Sequence, residues 1–204
     1  MICISASGIR AGLARFGTSH MQFFRFMAHF FSSPKSRRKR YLRGQARSLH
    51  ENLKKQALHH DLYLAGIAED SLNGRFEQVS LHSAMIMRHL RNEGEDGRQL
   101  AQLLYEDVFS GFDYSLRETG VGDSGIARKV RKLGEHFFGL ARGLEAAFSA
   151  NEASALLEFA TRNGLGHTNV PRFVGYLRKV DEILLVESPQ IISEGAINWP
   201  NVSE

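Results

Sequence analysis

The apolar residues between positions 126 and 147 constrain the fold most strongly, because they recur at the spacing of a helix seam. They follow one another in alternating steps of four and three residues: Ile126, Val130, Leu133, Phe137, Leu140, Leu144 and Ala147. Such a seam requires a partner helix to cover it. Gly134, Gly139 and Gly143 interrupt the same segment, and each costs about 1 kcal/mol in a helix interior. They predict that another backbone approaches this helix closely.

Helical periodicity extends through most of the chain. It predicts helices over 41–60, 74–91, 98–119 and 126–148, a shorter helix near 151–161 and a last one from Pro171. The stripes expected to face the core are Leu42, Ala46, Leu49, Leu53 and Ala57; Phe76, Val79, Ser83, Ile86 and Leu90; Leu100, Leu104, Val108, Phe112 and Leu116; and Phe173, Leu177, Val180 and Leu184. No run of alternating β residues appears. The expected fold is therefore an all-α bundle of about six helices.

The segment 115–132 is predicted to hold a sharp corner between two helices. A helix is expected to end near Thr119, followed by a turn at Gly120–Gly122, where two glycines permit positive φ. Asp123 or Ser124 is then expected to cap a second helix that begins near Gly125.

Basic residues are concentrated at the N-terminus. Residues 1–50 hold ten Lys and Arg and no acid, whereas the remaining 154 residues hold 16 basic and 22 acidic residues, a net charge of −6. We therefore predict a basic and aromatic, poorly ordered leader over 1–40 and a helical domain over 41–204. An acidic body argues against a DNA-binding domain that uses a folded basic face.

The leader pairs an aromatic run, MQFFRFMAHFF at 21–31, with a cationic block at 35–40. This pattern favours contact with an anionic membrane surface. The residues expected to make that contact are Phe23, Phe24, Phe26, Arg37, Arg38, Lys39 and Arg40. Alternatively, the phenylalanines pack on the domain, or the basic residues bind RNA. Residues 1–20 fit a leader, a transit peptide or an extension upstream of a start at Met21.

No arrangement of residues typical of catalysis or metal binding appears. The sequence lacks a nucleophile elbow, His-Glu-x-x-His, Cys-x-x-Cys and the Glu-x-x-His pattern of helical di-iron proteins, and Cys3 is its one cysteine. His59 and His60 are adjacent in the helix predicted over 41–60, so they should point about 100° apart and share no metal. We expect no catalytic, cofactor-binding or metal-binding residues.

Short motifs follow one another in a fixed order between Gly66 and Phe148. They are Asn73-Gly74-Arg75-Phe76-Glu77, Leu81-His82, Met87-Arg88-His89-Leu90-Arg91, Asp113-Tyr114-Ser115-Leu116-Arg117-Glu118, Gly120-Val121-Gly122-Asp123-Ser124-Gly125 and Arg128-Lys129-Val130-Arg131-Lys132. In order and spacing this series resembles the ubiquinol–cytochrome c chaperone family. A departure lies at Gly66–Asp70, where the family has Gly-Val-Pro-Asp. The closing Ile-Asn-Trp-Pro is similar to bacterial members, and Trp199 is expected either to dock on the body or to stay free as a contact.

The resemblance implies an assembly factor for the cytochrome bc1 complex and not an enzyme. Its implied partners are newly made cytochrome b or another bc1 subunit, and the ribosome; the anionic membrane surface is the partner expected for the leader. The residues we expect to line or support the client surface are Arg75, Phe76, His82, Arg117, Asp123 and Lys129. The expected location is the cytoplasmic face of the bacterial inner membrane, or alternatively the matrix side of the mitochondrial inner membrane. The competing interpretation is an RNA- or ribosome-binding module that uses the basic cluster at 35–47.

Overall fold

The computed structural model of the chain describes residues 34–120, 122–150, 152–187 and 189–202. Eight helices lie within these ranges: α1 (Pro34–Ala57), α2 (His60–Leu64), α3 (Leu72–Leu90), α4 (Gly94–Glu118), α5 (Asp123–Ser149), α6 (Ala155–Arg162), α7 (Val170–Val186) and α8 (Pro189–Glu194). The described ranges contain no strand. The predicted all-α fold is therefore confirmed, with six longer helices and two helices of about one turn, α2 and α8.

The chain divides into two units, residues 1–41 and 42–204, and the division falls within α1. The core described below belongs to the second unit. None of the helices in the described ranges has the length and hydropathy that a bilayer-crossing segment needs.

The core is built from the stripes that the sequence predicted. All the stripe residues of α1, α3, α4 and α7 are buried. On α5, the residues Val130 and Leu133 are half-buried, and the other five members of the seam are buried. Apolar spacing therefore identified the inward side of five helices.

Helix α3 occupies the centre of the bundle. It packs against α4, α5 and α7, and every residue from Gln78 to Met87 is buried. This middle part of the helix has no solvent face, so its polar side chains depend on partners inside the protein. The side-chain amide of Gln78 has none among the described residues. The sequence predicted one buried stripe on this helix and missed the others.

Several helix starts differ from the predictions: α4 begins at Gly94 rather than near residue 98, and α6 begins at Ala155 rather than near residue 151. Helix α1 begins at Pro34 rather than near residue 41, because proline is tolerated in the first turn of a helix. Residues 34–40 of the predicted leader are therefore helical. Helix α3 begins at Leu72 rather than Gly74, since Ser71 caps it by accepting a hydrogen bond from the Gly74 N–H at 3.1 Å. Residues 1–33, with Phe23, Phe24 and Phe26, lie outside the described residues.

The corner between α4 and α5 uses one of the two predicted positive-φ glycines. Gly120 has φ of +74°, as expected. Gly122 instead has φ of −63° and is itself the cap of α5, with no side-chain cap hydrogen bond. The predicted cap at Asp123 or Ser124 is therefore wrong. The extended Gly122 backbone accepts hydrogen bonds from the N–H groups of Gly125 and Ile126, so α5 begins at Asp123.

Gly134, Gly139 and Gly143 of α5 do not mark the approach of another backbone, and that prediction is wrong. A Cβ on Gly143 would lie 2.8 Å from Cε2 of Phe159, so a buried side chain of α6 uses the space. A Cβ on Gly134 would make an ordinary 3.7 Å contact with Phe109, and one on Gly139 would meet nothing within 4 Å. Only Gly143 is required by packing.

Candidate binding groove

A groove opens between α1, α3 and α4 and encloses about 300 Å³. Its floor is apolar and its rim carries polar and basic groups. The residues that line it are His50, Lys54, Leu58, Leu72, Arg75, Phe76, Val79, Val108, Gly111, Phe112, Tyr114 and Ser115. The rings of Phe76 and Phe112 meet edge to face at 5.0 Å and form the base of the groove.

Large apolar side chains are exposed along this groove. Leu58, Leu72 and Tyr114 are 41%, 43% and 66% exposed, and Leu64, at 81%, lies in an adjoining depression. Leu58 and Arg75 line both hollows, so the two adjoin. Four of the ten large apolar side chains exposed among the described residues therefore share one surface. Clustered apolar exposure of this kind marks interaction surfaces.

The rim of the groove carries two cations and one histidine. Burial, helped by nearby Lys54, lowers the pKa of His50, which favours the neutral ring. Arg75 donates two hydrogen bonds to Asp70, at 3.2 and 2.7 Å, and these raise the pKa of Arg75. Lys54 pairs with Glu51 at 2.9 Å. Because exposed ion pairs contribute little to stability, both cations can exchange partners at small cost.

Glu77 follows Phe76 on α3 and is half-buried. Burial, with a smaller contribution from Glu69, raises its pKa from 4.5 to about 7. The folded chain therefore holds this proton more tightly than the unfolded chain. The stabilising contribution is complete below pH 4.5 and is lost as the pH rises to about 7, since a carboxylate must then be partly buried.

Replacing Glu77 by glutamine should stabilise the protein above pH 7 and leave its stability almost unchanged near pH 4.5. After allowance for its partial exposure, we expect a gain of about 1–2 kcal/mol in the free energy of unfolding. Urea denaturation at both pH values measures the difference. Glu182→Gln, an exposed change of the same charge on α7, is the control. An equal gain in the control, or none in Glu77→Gln, would contradict a buried carboxylate.

His82 is 3% exposed and lies in the core, so it is not part of the groove surface. Its Nδ1 donates to the carbonyl of Gln78 at 2.8 Å, and its Nε2 accepts from the Tyr176 hydroxyl at 2.7 Å. Gln56 donates in turn to that hydroxyl at 3.0 Å. Burial lowers the pKa of His82 to about 4 and raises that of Tyr176. A neutral His82 therefore connects α3 to α1 and α7.

The C-terminal segment docks on the same network. Trp199 donates from Nε1 to the side-chain oxygen of Asn52 at 2.6 Å, and its ring lies 5.3 Å from that of His82. Of the two outcomes expected for Trp199, docking on the body is the one observed.

The other predicted client residues lie apart from the groove. Arg117 is exposed on α4 and pairs with Asp113 at 2.7 Å, Asp123 is the first residue of α5, and Lys129 is exposed on α5. The structure therefore brings together only Arg75 and Phe76 of the predicted set. The groove residues that the sequence missed include Leu58, Leu72 and Tyr114.

The four basic residues predicted to contact a membrane, Arg37, Arg38, Lys39 and Arg40, are exposed on α1. Their contact with lipid remains a prediction, as does the leader to which they were assigned.

The reason given for excluding a metal at His59 and His60 is wrong. Helix α1 ends at Ala57, and His59 is an extended residue that precedes α2. The two rings therefore lie 4.7 Å apart instead of pointing in different directions. With half-buried Asp61 the two exposed histidines form a group whose potential ligand atoms all lie within 4.8 Å of one another.

Comparisons with known proteins agree with this architecture. The crystal structure of the Cbp3 homolog from Brucella abortus is similar, with a TM-score of 0.70 and 26% sequence identity over 91% of this chain and 98% of that chain. No curated protein sequence matches the chain. Residues 67–199, which include the α3 and α4 sides of the groove, match the ubiquinol-cytochrome C chaperone family. Because this match spans more than half of the sequence, the chain belongs to the ubiquinol-cytochrome C chaperone family.

Proposed function

We propose that this protein is a non-catalytic assembly chaperone for the cytochrome bc1 complex, which holds an apolar segment of newly synthesised cytochrome b in the groove between α1, α3 and α4. Membership in the ubiquinol-cytochrome C chaperone family supports the assembly role. The single observation that supports the groove as the client site is its apolar floor, bordered by exposed Leu58, Leu72 and Tyr114.

The dimensions of the groove suit one face of a client helix. A cavity of about 300 Å³ accommodates a few apolar side chains, such as those at successive turns of an amphipathic or membrane helix. Each leucine-sized side chain buried on binding contributes about 1.5–3 kcal/mol before the cost of association is subtracted. A few such contacts give a moderate affinity, which suits a client that must later be released.

The rim of the groove adds polar contacts to the apolar contacts made by its floor. Lys54 and Arg75 can donate hydrogen bonds to carboxylates or exposed backbone carbonyls of the client, because their present partners Glu51 and Asp70 are at the surface. Cytochrome b is a membrane protein, so we place the chaperone at the cytoplasmic face of the inner membrane. The basic cluster at 35–47 would strengthen this membrane association through attraction to anionic lipid.

A strain from which the gene is deleted tests the assembly role. Membranes of the deletion strain should lose the b-type haem bands of the bc1 complex in a redox difference spectrum, and the reintroduced gene should restore them. The bands of other cytochromes in the same membranes are the internal control. An unchanged spectrum together with normal bc1 activity would refute the role.

A further inference from the structure

Helix α5 carries a basic surface on the side that faces away from the core. Its exposed members, together called the basic α5 face, are Arg128, Lys129, Arg131, Lys132, Phe138 and Arg142. No residue of this face lines the groove. The surface is therefore separate from the one to which we assign the client.

At about 100° per residue, Arg128, Arg131, Lys132, Phe138 and Arg142 fall within about 120° of one another around the helix. Lys129 lies at the edge of this arc, beside Lys132. Lys132 follows Arg128 by four residues, Phe138 follows Arg131 by seven, and Arg142 follows Phe138 by four, so they recur on neighbouring turns. Between Arg128 and Arg142 the helix rises about 21 Å. These five side chains therefore form a strip along the helix, with exposed Glu135 in its middle and Lys129 at its edge.

The charges on this strip are poorly compensated. From residue 126 to residue 144 the sequence has one acid, Glu135, which lies 3.8 Å from Arg131. Arg128, Lys129 and Lys132 form no ion pair with a described residue. The strip is cationic although residues 51–204 as a whole carry more acidic than basic residues.

An exposed aromatic ring lies within the strip. Phe138 is 50% exposed, and its inner edge is held by Tyr105 and Phe137, whose ring centroids are both 5.6 Å away. A supported aromatic ring beside lysines and arginines is the combination found where helices lie at the interface of a bilayer.

We infer that the basic α5 face is a second membrane-contact surface, which binds anionic phospholipid headgroups through its cations and inserts Phe138 among them. Each basic residue near an anionic surface strengthens binding about fivefold. The exposed side of a helix can lie flat along a layer of lipid headgroups. RNA fits less well, because single strands are held in basic grooves with several stacking rings, and this strip offers one exposed ring on an acidic body.

Vesicle binding by the full chain tests this surface. Co-sedimentation is measured with vesicles of equal parts phosphatidylglycerol and phosphatidylcholine, and with phosphatidylcholine alone. The variant Arg128→Glu/Lys129→Glu/Lys132→Glu should bind the anionic vesicles at least about tenfold more weakly than the unmodified chain. Phe138→Ala should weaken binding about threefold or more without any change in charge.

The matched control is Lys55→Glu/Arg98→Glu/Arg162→Glu, which changes three exposed basic residues elsewhere by the same total charge. It should retain most of the binding, and circular dichroism should show that both variants remain folded. Equal binding by the two triple variants would overturn the inference, because the leader or net charge would then explain the attraction. A loss of RNA affinity with unchanged vesicle binding would overturn it as well. Neither result affects the client groove, which none of these substitutions touches.

Discussion

Replacing Asp181 by alanine should lower the free energy of unfolding by about 3 kcal/mol. Asp181 lies on α7, is 9% exposed and accepts hydrogen bonds from Arg88 and His89 of α3. Arg88 also pairs with Glu145 of α5 at 3.2 Å and lies 4.7 Å above the ring of Phe148. The carboxylate therefore joins α7 to α3, and Arg88 extends the connection to α5. Its removal leaves a partly buried guanidinium without its best-protected partner, which costs far more than the loss of a surface ion pair.

Two companion variants separate this effect from a general loss of charge. Asp181→Asn keeps a hydrogen-bond acceptor and should cost about half as much. Glu145→Ala removes the other partner of Arg88, but its side chain is 49% exposed, so it should cost about 1 kcal/mol or less. Guanidinium denaturation, monitored by circular dichroism, measures the free energy of unfolding of all three variants. Equal losses for Asp181→Ala and Glu145→Ala would contradict the buried connection between α3 and α7.

The double variant Leu72→Asp/Tyr114→Asp should abolish chaperone function while the protein stays folded. Both side chains are exposed, on α3 and α4, and both line the groove. Carboxylates there would have to be desolvated when an apolar client binds, and the apolar contacts of two side chains would be lost, each worth about 1.5–3 kcal/mol. Affinity for cytochrome b should therefore fall about 100-fold or more. The b-type haem bands of the bc1 complex should decrease accordingly in a strain that carries only this variant.

Leu157→Asp/Val186→Asp is the matched control for the groove variant. Leu157 is as exposed as Leu72, at 43%, and Val186 is 86% exposed, but neither lines the groove. This control places two carboxylates on α6 and α7 and should restore a normal bc1 spectrum. If both double variants fail alike, or both succeed, the groove is not the client site.

The sequence was most informative where packing follows from helical spacing. Each apolar stripe, such as Leu100 to Leu116 on α4, lies in the core because residues three and four apart share one side of a helix. The same spacing could not reveal that the middle of α3, from Gln78 to Met87, is enclosed on every side. Gln78, Ser80 and His82 are polar and interrupt the pattern, yet all are buried, and the partner of His82, Tyr176, lies 94 residues along the chain.

The groove could be predicted only in part. Arg75 and Phe76 were selected through the family motif, and both line it. Leu58 and Leu72 lie at or beyond helix ends, and Tyr114 lies beside the α4 stripe, so periodicity gave no reason to select them. Their common surface depends on how α1, α3 and α4 pack, which no single segment encodes.

Local backbone geometry accounts for the remaining errors. The segment Gln56-Ala57-Leu58-His59 contains no helix-breaking residue. Helix α1 nevertheless ends at Ala57, and His59 is the extended residue directly before α2. At the corner after α4, the choice of cap depended on which residue adopts an extended conformation, and Gly122 takes that role ahead of the better capping side chains. The packing of the flanking helices determines where a helix ends and which residue caps it.

Site-specific photo-crosslinking measures the central claim most directly. A benzophenone amino acid replaces Tyr114 in the groove, or Leu157 on α6 as the control, and cells are irradiated while cytochrome b is being synthesised. We predict a crosslink to cytochrome b from position 114 and none from position 157. A crosslink from both positions, or none from position 114 in a strain whose bc1 assembly requires this protein, would contradict the groove as the site that holds the client.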